Sequence, residues 1–132
     1  MNLKQIEQKL SQLPGMVAAM KRSIAEQFAE FVRAELVKQH YSGRDLYGKS
    51  YPRPKRGGQP MLDTGELAGG YEVRVVGDKV HVDNVSSHTI VNHDGKHIHL
   101  PDERGMPESW RRKLEQISRA EQRRLLADIR RK

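Results

Sequence analysis

A stripe of apolar residues between positions 16 and 39 constrains the fold of this chain more than any other sequence feature. The stripe comprises Val17, Met20, Ile24, Phe28, Phe31, Val32 and Leu36. Its members recur at three- and four-residue intervals, and charged residues such as Arg22, Glu26 and Lys38 fall mostly off it. This periodicity predicts a long α-helix with one buried face, which needs further structure to cover it.

A shorter amphipathic segment precedes this helix. Its apolar residues are Leu3, Ile6, Leu10 and Leu13. Their spacing predicts a separate helix over residues 3–13. Pro14 and Gly15 follow, and proline cannot continue a helix interior without losing a hydrogen bond, while glycine favours a helix end. We therefore expect a break here, with the long helix beginning near Met16.

Alternating residues predict a β-hairpin in the second half of the chain. The apolar members of the pattern are Tyr71, Val73, Val75, Val80 and Val82. Gly77 and Asp78 separate the two runs, and glycine at the first turn position suits a type II′ hairpin turn. We expect a third strand near residues 88–92 and a short fourth strand near residues 96–100.

A last amphipathic helix is expected to begin at Pro107 or Glu108. Its core residues would be Trp110, Leu114, Ile117, Leu125 and Ile129. The order of elements predicts an α+β fold, in which a small antiparallel sheet (the hairpin plus one or two strands) packs against a long N-terminal helix and a C-terminal helix. A chain of 132 residues has material for one ordinary core, so residues 1–132 are expected to form a single domain.

The stretch between residues 41 and 60 is rich in glycine and proline, which prevents regular structure, and loops of this length are usually functional or disordered. Five basic residues face one acid, Asp45, and tyrosines are interleaved with them. That composition suits a surface for single-stranded nucleic acid. We favour an extended basic arm that contacts a neighbouring subunit. Its predicted interface residues are Arg44, Tyr47, Lys49, Tyr51, Arg53, Lys55 and Arg56.

Composition excludes several classes of protein. The chain has no cysteine, which rules out disulfides, thiolate catalysis and cysteine-based zinc sites. No apolar run approaches the roughly 20 residues needed to span a bilayer, and the first residues lack the apolar core of a signal peptide. A net charge of +7 attracts polyanions, either nucleic acid or an acidic protein. We expect a protein made in the cytoplasm, or part of something assembled there.

Four histidines between positions 88 and 99 raise the question of a metal site. His97 and His99 would share one strand face, about 7 Å apart, and His93 could reach across the Asp94-Gly95 turn. The spacing matches no established ligand pattern, so His93, His97 and His99 are only weak metal candidates and no cofactor is expected. A toxin-like ribonuclease, with histidine, arginine or lysine as acid–base groups, is an alternative. No nucleophile turn or phosphate-cradling loop supports an enzyme.

Several motifs resemble one protein family. Asp63 can cap a short helix that begins at Thr64. The run at residues 45–51, the Arg56-Gly57-Gly58 step and the motif Leu62-Asp63-Thr64-Gly65-Glu66-Leu67 ahead of the hairpin resemble the phage virion-morphogenesis and tail-completion proteins. The helical segment at residues 10–39 is similar too. The motif residues that carry most of the resemblance are Leu62, Asp63, Thr64, Gly65 and Leu67.

This resemblance implies a structural protein of the virion rather than an enzyme. Such a subunit would complete the tail and join it to the head as one copy in a ring, with six-fold symmetry expected. Its partners would be the tail terminator and the head connector or stopper, and passing DNA could touch its basic surface. A small nucleic-acid-binding protein and a ribonuclease remain the alternatives.

Overall fold

The computed structural model of this chain describes residues 2–51, 69–84, 100–101 and 105–131. Helix α1 runs from Leu3 to Ser42, strand β1 from Tyr71 to Val76, strand β2 from Lys79 to Asn84, and helix α2 from Glu108 to Arg131. The two strands form an antiparallel hairpin beside the two helices. The predicted α+β fold is therefore confirmed.

Helix α1 is continuous through Pro14, so the predicted break at Pro14-Gly15 is wrong. Proline costs one backbone hydrogen bond in a helix interior, but tertiary contacts routinely override local propensity. Here α2 lies against α1 on both sides of the proline. Lys9 Nζ donates to the Ile129 carbonyl at 3.2 Å, and Trp110 packs on Phe28 further along α1. These contacts favour one helix axis over two.

Both ends of α1 carry strong capping signals. The Asn2 side chain accepts a hydrogen bond from the Gln5 amide, and the Gln5 side chain accepts one from the Asn2 amide, each at 2.9 Å. This capping box satisfies two otherwise unpaired donors. At the other end Gly43 takes a φ of +74°, the left-handed conformation that ends many helices. Helix α1 thus begins and ends where the local sequence directs.

The hairpin forms in the expected register. Val73 lies opposite Val82 and Val75 opposite Val80. Gly77 takes a φ of +64°, as the first position of a tight hairpin turn requires. The predicted third and fourth strands fall outside the described residues, apart from residue 100, which is a bend.

The hydrophobic core lies between α1, β1 and α2. Its buried members are Phe28, Ala29, Val32, Leu36, Val73, Trp110 and Ile117. Trp110 meets Phe28 and Phe31 edge-on, with ring centroids 6.4 and 6.5 Å apart, a favourable geometry for aromatic pairs. Helix α2 runs antiparallel to α1, from Trp110 beside Phe31 to Ile129 beside Lys9. The core lies along the C-terminal half of α1, and the first turns of that helix lie beyond it.

Candidate assembly interface

Residues 43–51 form a compact cationic turn directly after α1. Arg44 and Ser50 make an antiparallel bridge, and the Tyr51 amide donates to the Gly43 carbonyl at 2.9 Å. Gly48 takes a φ of +88° at the tip. We call residues 43–51 the cationic turn. The part of the predicted arm that the structure describes is therefore folded rather than extended.

Asp45 organises the interior of the cationic turn. Its Oδ1 atom accepts hydrogen bonds from the backbone amides of Tyr47 and Lys49, both at 2.9 Å. Its own amide donates to the Lys49 carbonyl at 2.8 Å. Short acidic side chains often fold a turn in this way. Asp45 is buried, so this one acid among the basic residues serves the turn's structure rather than its surface.

A buried polar network anchors the cationic turn to the rest of the fold. The Tyr51 hydroxyl donates to Gln39 Oε1 at 2.7 Å, and Gln39 Nε2 donates to the Tyr71 hydroxyl at 2.8 Å. The Tyr71 hydroxyl also shares a 2.5 Å hydrogen bond with His40 Nε2. Gln39, His40 and Tyr51 are buried, so these bonds satisfy groups that would be costly to leave unpaired. The network joins the turn, α1 and β1.

Both tyrosines of the network stay neutral at ordinary pH. Burial, and then the nearby Asp45 carboxylate, raise the pKa of Tyr51 well above its usual value. Burial also raises the pKa of Tyr71, the Tyr51 phenol adds to that rise, and the hydrogen bond from Gln39 opposes it. A neutral phenol can donate a hydrogen bond, which a phenolate cannot. The two tyrosine hydroxyls therefore keep their donor protons across the physiological pH range.

The structure separates the predicted interface residues into two roles. Arg44 and Lys49 are exposed at the surface of the cationic turn. Tyr47 is half-buried, and its hydroxyl donates to the Gly105 carbonyl at 2.8 Å, which ties the turn to the segment before α2. Tyr51 is 5% exposed and acts as an anchor, not as a surface contact.

The remaining predicted site residues lie outside the described part of the chain. They are Arg53, Lys55 and Arg56 of the arm, Leu62, Asp63, Thr64, Gly65 and Leu67 of the motif, and the histidines His93, His97 and His99. Within the described residues no three histidine or acidic side chains come together as metal ligands. None of the helices in that part of the chain combines the length and apolar content needed to cross a bilayer.

A line of exposed arginines on α2 forms a second cationic surface. Arg112, Arg119, Arg123 and Arg130 follow at intervals of 7, 4 and 7 residues. At 100° per residue these intervals place them on one outer line, opposite buried Trp110, and they span about 27 Å. Arg112 lies 3.8 Å from Glu108, whereas no carboxylate of the described residues pairs with Arg119, Arg123 or Arg130. We call these four residues the arginine line.

Sequence reasoning missed the buried polar network, although a signal for it is present. Gln39 and His40 continue the spacing of the apolar stripe, because they follow Leu36 by one helical turn and Val32 by two. Polar residues on the buried face of a helix need hydrogen-bond partners. Their position therefore pointed to an interior network, although not to the tyrosines that complete it.

Comparisons with known proteins leave the site to be interpreted from its own geometry. No protein family, curated protein or solved structure matches this chain. The fold and the two cationic surfaces define a small α+β domain with a preformed basic turn at one end and a basic helix along one side.

Proposed function

We propose that this chain is a structural, non-catalytic subunit of a tailed-phage neck, which completes the tail and joins it to the head as one copy in a six-fold ring. The observation that carries the proposal is the anchored cationic turn. Arg44 and Lys49 are exposed on a turn that buried Asp45 and Tyr51 hold in place, and Arg44 Nη1 donates to the Gly48 carbonyl of the same turn at 3.3 Å. The likeness of residues 45–67 to phage tail-completion proteins supports the particular assembly.

A preformed turn is well suited to joining subunits. Ordering a loop on binding costs free energy, and a loop already fixed by the fold avoids most of that cost. Charges on a fixed turn also select a partner with carboxylates in matching positions, and they accelerate association with an acidic surface. Neighbouring rings in a neck would supply such surfaces, and copies within one ring would meet through heterologous contacts.

The proposal is tested in the phage whose genome encodes this chain. The double variant Arg44→Ala/Lys49→Ala removes both exposed cations of the turn. Electron micrographs are expected to show filled heads beside finished, unattached tails, because the joining surface is weakened while the fold is kept. The matched control is Lys21→Ala/Arg22→Ala, which removes two exposed cations from α1 and is expected to give normal particles. Normal yield from the first variant would refute the role of the turn, and purified necks without this chain would refute the neck assignment.

A second candidate function, nucleic-acid binding, is favoured by the arginine line. Arginine forms bidentate contacts with phosphate, and the line places four guanidinium groups along one helix face. Binding to a short DNA duplex would weaken steeply as salt rises. Replacing Arg119 and Arg123 by Gln should make this salt dependence less steep. The negative slope of log affinity against log salt should shrink in magnitude by about 1.8, at about 0.9 for each lost phosphate contact.

Arg22→Gln is the control for that measurement, because Arg22 is exposed on α1 but already pairs with Glu26 at 3.0 Å. It is expected to leave the slope nearly unchanged. An unaltered slope in the Arg119/Arg123 variant, or absence of binding at low salt, would exclude DNA as the partner of the arginine line.

A further inference from the structure

The first turns of α1 expose an apolar stripe that the rest of the described chain leaves uncovered. Leu3, Ile6 and Leu10 are 72%, 41% and 58% exposed. All three belong to a regular helix whose N-terminus is firmly capped, so the stripe is a preformed surface. Contiguous exposed apolar surface on a soluble domain often marks an interaction site.

A small apolar cavity lies where this stripe meets the end of α2. Its volume is about 150 Å³, and its walls are Ile6, Leu10, Leu13, Met16 and Ile129, with Lys9 and Gln12 at the edge. An apolar cavity of about this volume can hold a benzene-sized group. The cavity therefore has room for one large apolar side chain.

The spacing of the stripe is that of a coiled-coil seam. Leu3, Ile6, Leu10 and Leu13 alternate at intervals of three and four residues. In such a seam each apolar side chain of a second helix inserts into a hole formed by residues of the first. The last turns of α2 contribute Ile129 to this seam but otherwise carry charged residues such as Asp128 and Arg130, so the seam is only partly filled.

Charge selects the partner that can complete the seam. The helix ends that frame the cavity carry Lys4, Lys9, Arg130 and Arg131, against only Glu7 and Asp128. A second copy of this chain, docked through the same groove, would bring the same basic residues against these, which opposes pairing at this surface. A helix with acidic flanks would be attracted instead.

We propose that the groove between the N-terminal turns of α1 and the last turn of α2 binds an amphipathic helix of a partner protein, one with an apolar seam flanked by acidic residues. One large apolar side chain of the partner fills the cavity beside Ile129. Its neighbours one turn away cover Leu3 and Leu10. The proposal stands on this groove alone and does not depend on the neck assignment.

The test uses the full chain and three synthetic 21-residue helical peptides. The first carries Leu at the seam positions and Glu at the flanking positions, the second has Lys in place of Glu, and the third has Ala in place of Leu. Fluorescence anisotropy at low salt is expected to show binding of the first peptide only. Binding of the basic peptide with equal affinity, or no binding of the acidic peptide, would overturn the proposal.

Substitutions in the protein locate the binding surface. Leu10→Gln should weaken binding of the acidic peptide at least about tenfold, since it removes buried apolar area from the complex. Leu126→Gln is the matched control, because Leu126 is 53% exposed on α2 but does not line the cavity. It should bind normally. Leu3→Gln provides a second test if Leu10→Gln folds poorly, and equal binding by these groove variants and wild type would overturn the assignment.

Sedimentation of the protein alone tests whether a second copy of this chain, rather than a partner helix, fills the groove. The unmodified chain is expected to be monomeric at micromolar concentration in the absence of partners, and Leu10→Gln is expected to sediment identically. A dimer that Leu10→Gln disperses would show that a second copy fills the groove, and would overturn the proposal of a partner helix.

Discussion

Alkaline pH should unfold this protein through the two tyrosines that anchor the cationic turn. Tyr51 and Tyr71 have raised pKa values in the folded state, whereas an unfolded tyrosine ionises near pH 10. Below pH 10 both states hold the phenolic protons, and the stabilisation is fully present. Above pH 10 the unfolded state loses these protons while the folded state keeps them, so stability falls as pH rises.

The size of this effect follows from proton linkage. Each tyrosine that is neutral when folded and ionised when unfolded lowers the unfolding free energy by about 1.4 kcal/mol per pH unit. Two such tyrosines give about 2.7 kcal/mol per unit, or roughly 5 kcal/mol between pH 10 and pH 12. Small domains have a total stability of about 5–15 kcal/mol. We therefore expect a large part of the stability to be lost over those two units.

Denaturant unfolding at a series of pH values directly measures the slope of the unfolding free energy against pH. Trp110 is the only tryptophan and lies in the core, so its fluorescence reports global unfolding. Tyr51→Phe should halve the slope above pH 10, because it removes one of the two phenols whose pKa is raised in the folded state. An unfolding free energy that is flat between pH 10 and 12, or an equal slope in Tyr51→Phe and wild type, would refute this reasoning.

Three further substitutions test the backbone. Pro14→Ala should raise the unfolding free energy by roughly 1–3 kcal/mol, because it restores a helix hydrogen bond at an exposed position. The helical circular dichroism signal should stay the same. A marked gain of helical signal would show that α1 is broken in solution. Gly48→Ala should destabilise by about 1–2 kcal/mol through its positive φ alone, as an added Cβ would meet nothing within 4 Å. Gly15→Ala, in the helix, should instead stabilise by about 0.5–1 kcal/mol, and destabilisation of both variants in thermal melts would contradict the assigned backbone.

Local patterns predicted most of the fold. Alternation of Val73, Val75, Val80 and Val82 gave the correct hairpin register, because a two-residue turn fixes the pairing of its flanking strands. The apolar spacing from Trp110 to Ile129 gave α2. Both features depend on residues close together in the chain, which a period of two or 3.6 residues reveals.

Features that depend on distant contacts were not predictable in the same way. The break at Pro14 was expected from a local rule, whereas contacts with α2 far along the chain keep α1 continuous. Asp45 was counted among the charges of a loop, and its burial depends on how the turn packs against α1. Glu121 of α2 is likewise buried, and Gln27 on α1 donates to its carboxylate at 2.7 Å. Tertiary partners, rather than the residues themselves, decided these outcomes.

The central claim is the proposed role in a tailed-phage neck, and an electron cryo-microscopy map of purified neck particles tests it most directly. The account predicts a ring of this subunit between head and tail, with Arg44 and Lys49 of the cationic turn within hydrogen-bonding distance of carboxylates on an adjoining subunit. A map in which that turn faces bulk solvent, or in which no density fits the α1–hairpin–α2 domain, would contradict it.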